Sequence, residues 1–238
     1  MMPAQQNPRL QPQNFIDVQT AGGLERERAF IRSVYGWMFG GLLLTALASY
    51  WVVVSPAMQQ IVARSYIFLI IAELGAVLFL SFRITKMTPA TAAGSFFVYS
   101  VLNGLTLSAI FAVFSLGSIV QAFVVAAGMF GAMAVYGLVT KRDLTSWGSI
   151  FFMWIIEILL IAVVNIFLKS EGLSFVVSVV GVFVFIGLTA YDNQKLKAFA
   201  HASGAETTNL AVIGALRLYL DFINLFLMLL QLFGGRRR

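Results

Sequence analysis

Seven long apolar runs dominate this chain: Ile31 to Val54, Tyr66 to Phe82, Ala90 to Phe114, Ile119 to Val139, Trp147 to Leu168, Leu173 to Tyr191 and Leu210 to Phe233. Each approaches the roughly 20 residues a helix needs to cross about 30 Å of hydrocarbon. They are too long, and too little alternating, to be strands. Ser55-Pro56, Thr88-Pro89, Leu116-Gly117-Ser118, Lys141-Arg142-Asp143, Lys169 to Gly172 and the polar stretch Asn193 to Asn209 punctuate them. The pattern predicts an all-α polytopic membrane protein with seven transmembrane helices. A water-soluble globule is excluded, because 11% of the residues are charged against about 25% in soluble domains.

Residues 1–30 differ from the rest. They are rich in Gln, Pro and Asn and contain no apolar core, so they read as a disordered polar tail and not as a signal peptide. Residues 31–235 form the seven-helix domain, and Arg236 to Arg238 a basic end. Placing the amino terminus in the cytoplasm puts ten Lys and Arg on the inner side: Arg9, Arg26, Arg28, Arg32, Arg83, Lys86, Lys141, Arg142, Lys195 and Lys197. Arg64, Lys169 and Arg236 to Arg238 then lie outside, an asymmetry of the positive-inside kind. The closing arginines would count inside if the last run were re-entrant. Its length and uniform apolarity favour a full crossing. Two close-packing signals stand out, Gly36 with Gly40 and Gly128 with Ala132.

Composition removes whole classes of chemistry. With no cysteine and a single histidine, His201, thiolate or imidazole metal centres are excluded and a serine-type triad has one available base. No Gly-Lys dipeptide is present, so there is no phosphate-binding P-loop. The basic excess, 16 against 10, reflects charge sidedness across a bilayer and not nucleic-acid binding. No resident cofactor is expected, and the chain does not read as an enzyme.

Charges within the spans cost about 2.5–3.5 kcal/mol each on insertion scales and therefore mark function. Glu73, Glu157, Asp192, Arg217 and Asp221 qualify, with Arg83 at the inner end of the second span. In the last span Arg217, Asp221, Asn224, Met228 and Gln231 recur at helical spacing on one face. Such a stripe must face protein or water, which places the last helix at the centre of the bundle. A hairpin of the last two spans brings Asp192 and Asp221 to similar depth. Two carboxylates in a low-dielectric site titrate as a pair and, when ionised, offer hard oxygen ligands to a transient Ca²⁺. Arg83 from below, or Arg217 one turn away, can hold them closed. A pair that only fixes register fits these residues equally well. Tyr191-Asp192 is also the kind of motif intramembrane aspartyl proteases use, but the segment before Asp221 lacks their glycines.

Leu188 to Lys197 (LTAYDNQKLK) and Gly214 to Gly234 (GALRLYLDFINLFLMLLQLFG) strongly resemble the Bax inhibitor-1 family of membrane proteins. Gly128 to Gly137 and Thr140 to Leu144 resemble its bacterial inner-membrane branch. The resemblance implies a Ca²⁺ leak governed by a di-aspartyl pH sensor, Asp192 and Asp221 by matching position. It further implies an arginine lock, for which Arg83 is the nearest match and Lys86 the alternative. Arg217 departs from the family pattern. A second role implied by some relatives is that of an interaction protein modulating a membrane-anchored ATP-dependent protease.

Overall fold

The computed structural model describes residues 12–202 and 208–235. It contains eight α-helices: α1 (Pro12–Val54), α2 (Pro56–Arg83), α3 (Pro89–Leu107), the single turn α4 (Ile110–Val113), α5 (Leu116–Val139), α6 (Trp147–Leu168), α7 (Glu171–Ala202) and α8 (Thr208–Phe233). A 3-10 turn, Ile84–Lys86, follows α2, and no strand occurs among the described residues. Seven segments are long and apolar enough to cross a membrane, α3 and α4 together forming the third. The expected all-α, seven-span architecture is therefore observed.

Three boundaries differ from the sequence reading, each for a local reason. α1 begins at Pro12, so residues 12–30 of the expected disordered tail are helical. No proline falls between Pro12 and Pro56, and proline itself suits the first position of a helix. Residues 1–11 of that tail, and Arg236 to Arg238, lie outside the described residues. α2 starts ten residues before the expected Tyr66, because the Ser55 hydroxyl accepts the Met58 amide and Pro56 occupies the first turn. The third span breaks between α3 and α4, where the Ser108 hydroxyl donates to the Leu105 carbonyl at 2.6 Å and Thr106 Oγ1 lies 2.9 Å from the Asn103 carbonyl. Hydroxyls that capture carbonyls three residues back compete with the helical ladder and bend it.

α8 is the hub. It packs against α1, α3, α5 and α7, whereas α2 leans on α1 and α3, and α6 on α7. Two thirds of the α8 span is buried (67%), against 11% of α2 and of α6. Its Val212, Ala215, Leu218, Tyr219, Leu225 and Leu230 have no exposed surface. α8 also runs the full depth of the bundle. The Asn209 side chain at its start donates to the Met87 carbonyl at 2.6 Å, and Gly235 beyond its end meets Ser118 Oγ at 3.0 Å. These two contacts lie on opposite faces of the bundle, as a helix spanning its whole depth requires. The face carrying Met87 and the α5–α6 and α7–α8 connections is called the near face here. The face carrying Ser55, Ser115 and Gly235 is the far face.

In lipid, helices associate through close packing and internal hydrogen bonds, and small residues permit that approach. Gly104 of α3 is such a point, since a Cβ there would lie 2.5 Å from the Thr45 carbonyl oxygen of α1. A Cβ on Gly137 of α5 would strike the Ala190 backbone of α7. The pairs anticipated from the sequence are not the seams: Gly36 and Gly128 have nothing within 4 Å of an added Cβ, and Gly40 only Phe97. Spacing marks a small-residue face but does not name the neighbour that fills it.

Candidate functional site

The α7–α8 hairpin positions the acidic residues, and its antiparallel register can be read from three contacts. Ser178 donates to Gln231 at 3.0 Å. Gly181 lies under Met228, and Gly214 under Leu196, with added Cβ atoms meeting them at 2.8 and 2.5 Å. The same register sets Asp192 beside Arg217, and Arg217 Nη1 lies 3.8 Å from Asp192 Oδ1. Asp221 falls level with Leu188, one turn further from the near face. The two aspartates are thus offset by about 6 Å along the helix axes, not at one depth.

Both carboxyl groups are buried, at 8% and 6% exposure. Asp192 sits within electrostatic range of Arg217, Lys195 and Asp221. Asp221 Oδ2 is buried without a hydrogen-bond partner, and no hydrogen bond joins the two carboxylates among the described residues. Arg217 is 42% exposed at its side chain, so the pair reaches the surface along the less buried face of α8. The polar stripe of α8 accordingly lies against α7, as a lipid-averse stripe must face protein.

The surroundings fix α7 firmly. Asn193, fully buried, donates to the Thr189 carbonyl at 2.7 Å and accepts the Tyr35 hydroxyl of α1 at 2.6 Å. Gln194 accepts the Leu144 amide and donates to the Arg142 carbonyl, at 2.8 and 2.7 Å. Lys197 donates to the Leu138 carbonyl at 2.9 Å. Lys195 lies over the Tyr191 ring, 5.4 Å from its centroid. Residues 193–197 therefore clamp the near end of α7 to α1, to α5 and to the α5–α6 connection. None of these anchors stood out in the sequence, although a polar residue directly after an intramembrane aspartate was the available signal.

Several expected site residues lie elsewhere. Arg83 is exposed at the end of α2, and the cation beside Asp192 is Arg217. α2 packs on α1 and α3, and the 3-10 turn after Arg83 meets the start of α8, away from the level at which Arg217 meets Asp192. Lys86 is exposed as well. Asn224 spends its amide on the Leu220 carbonyl of its own helix at 2.8 Å. Glu157 is exposed on α6, about 15 Å along a helix that packs on α7. Glu73 belongs to a separate polar cluster, in which the Asn103 amide donates to Oε1 and the Thr106 hydroxyl to Oε2, the latter at 2.6 Å. A buried relay completes that flank of α8, with the Tyr219 hydroxyl 2.6 Å from Thr45 Oγ1, which bonds the Ser100 carbonyl at 2.9 Å.

Comparison with known proteins accords with this architecture. Residues 27–238 match the family model described as inhibitor of apoptosis-promoting Bax1. Inner membrane protein YbhL of Escherichia coli K12 is 48% identical over 233 residues, covering 95% of this chain and 98% of its own. A protein of Deinococcus radiodurans is 39% identical over 215 residues, covering 90% and 93%, and YrjE of Lactococcus lactis is 35% identical over 227, covering 93% and 95%. With a family match spanning all seven helices and near-complete coverage of its relatives, this integral membrane protein belongs to the Bax inhibitor-1 family.

Proposed function

We propose that the protein is a pH-sensitive cation leak of the bacterial inner membrane that passes Ca²⁺, with Asp192 and Asp221 as sensor and Arg217 as lock. The observation that carries this reading is charge balance on the α7–α8 seam. Two buried carboxylates share the seam, and the Arg217 guanidinium lies 3.8 Å from the Asp192 carboxylate, so the contact depends on Asp192 being ionised. Ionised Asp192 holds Arg217 across the seam and joins α8 to α7 near the cytoplasmic mouth. Protonation of Asp192 removes that attraction and lets the guanidinium swing away, opening a path lined by carboxyl oxygens suited to a hard cation. Lys195 is the further cation in range of Asp192. Tyr35, reaching in from α1, bonds Asn193 and not the acids, and α5 carries no charged residue.

Ca²⁺ uptake into proteoliposomes, stepped from pH 8 to pH 5, tests the reading. Flux in the wild type is expected to rise on acidification, and Asp221→Asn to flatten that rise. Arg217→Gln is expected to raise flux at neutral pH. Flux equal to empty liposomes at every pH overturns the channel reading.

A second reading is a protein that modulates a membrane-anchored ATP-dependent protease. One observation favours it: Glu157 is exposed midway along the apolar helix α6, where a partner helix with donors would relieve its carboxyl group. On this reading Glu157→Leu abolishes co-purification of the protease while Ca²⁺ flux persists.

A further inference from the structure

The Glu73 cluster lies on the other flank of α8 from the aspartates, and three observations about it converge. First, its carboxylate sits within a transmembrane helix yet faces protein: the Asn103 amide meets Oε1 and the Thr106 hydroxyl meets Oε2. Second, Asn103 is 6% exposed, and its Oδ1 is buried with no partner. The two ends of one amide are a single bond angle apart, so this orphaned oxygen lies beside the Glu73 carboxylate. Leaving a buried acceptor unmatched is costly and usually marks an absent water or ion. Third, a cavity of 690 Å³ lies between α1, α2 and the α3–α4 break on the far side, lined among others by Gln59, Val62, Ala63, Tyr66 and Ser108. On α2 the lining positions 59, 62, 63 and 66 continue at helical spacing to Glu73, two turns or about 10 Å beyond Tyr66.

We infer that Glu73, Asn103 and Thr106 form a binding site for a single-charged hard cation, Na⁺ being the probe of choice, with this cavity on its far-face side. The donors are all oxygen: the carboxylate, Asn103 Oδ1 and Thr106 Oγ1. Oxygen sets of this kind suit hard cations. Charge selects the valence. The site holds one carboxylate among neutral donors, and within a low-dielectric medium one positive charge neutralises it whereas a divalent ion leaves an uncompensated charge. This site goes beyond the proposed leak and does not depend on it.

Thermal unfolding of the detergent-purified full chain, in NaCl against choline chloride at equal ionic strength, tests the inference. The wild type is expected to gain a saturable Tm rise of about 2–4 °C once Na⁺ exceeds its dissociation constant about fivefold. Glu73→Gln, which keeps a hydrogen-bonding side chain of the same shape, is expected to retain helical circular dichroism and lose the Na⁺ response. Asp221→Asn is expected to keep the response, which separates this site from the aspartate pair. Equilibrium dialysis with radioactive Na⁺ should count one ion per chain in the wild type and none in Glu73→Gln. Identical Tm in Na⁺ and choline, a response surviving in Glu73→Gln, or Glu73-dependent stabilisation by CaCl₂ but not by NaCl each overturns it.

Discussion

The two flanks of α8 solve one problem in different ways. Toward α7, two buried carboxylates are balanced by a guanidinium 3.8 Å away, itself 42% exposed. Toward α2 and α3, a single carboxylate is held by an amide and a hydroxyl, with no cation in the cluster. On the readings proposed above, the first arrangement responds to a proton and the second to a cation. Compensation by charge and compensation by dipoles thus predict different sensitivities.

Substitution should separate the two strategies. The largest effect is expected from Arg217→Leu, which leaves both aspartates without their cation. Breaking a fully buried pair costs about 3–5 kcal/mol, and the exposure of Arg217 reduces that to about 1–3 kcal/mol. Adding Asp192→Asn should recover most of the loss in a double-mutant cycle read by unfolding in detergent. A double variant no more stable than Arg217→Leu would mean that Arg217 matters for packing and not for charge. Glu73→Leu should cost about 1–2 kcal/mol by stranding the Asn103 amide and the Thr106 hydroxyl, and a loss no larger than about 0.5 kcal/mol would mean that those two groups find other partners. Tyr35→Phe should cost about 1 kcal/mol through the lost bond to Asn193, and should shift the flux profile less than Arg217→Gln does. Glu157→Gln, on a side chain that faces outward, should change stability by no more than about 0.5 kcal/mol.

The smallest effect lies outside the membrane. The Thr145 hydroxyl and amide hold the Asp143 carboxyl below its usual value, so whatever it contributes is present above the unfolded carboxylate range and is lost as pH falls through the lower folded value. Asp143→Asn should leave pH-dependent flux unchanged, and a shift would mean that the α5–α6 connection takes part in gating.

Reading the sequence located the spans and the acids but not their neighbours. Apolar length determined the seven crossings, because a bilayer admits few alternatives. Steps of three and four residues placed Arg217 and Asp221 on one stripe of α8, and burial of that helix follows from the stripe. Arg83 was preferred as the lock because position within one helix says nothing about which helix lies beside it. The partner of Asp192 emerges only from the α7–α8 register, set by Gly181 under Met228 and Leu196 over Gly214. Glu73 and Glu157 looked alike in sequence, each a lone acid in an apolar run. α3 supplies donors to one, and α6 turns the other outward.

The helix on which α1, α3, α5 and α7 all pack follows the other six crossings in the chain. During translation those six reach the membrane with no hub to assemble around, so native packing is postponed until α8 leaves the ribosome. A premature stop codon within α8 would therefore remove not an appendage but the axle of the bundle, and a nascent chain stalled there should be a ready substrate for membrane quality control.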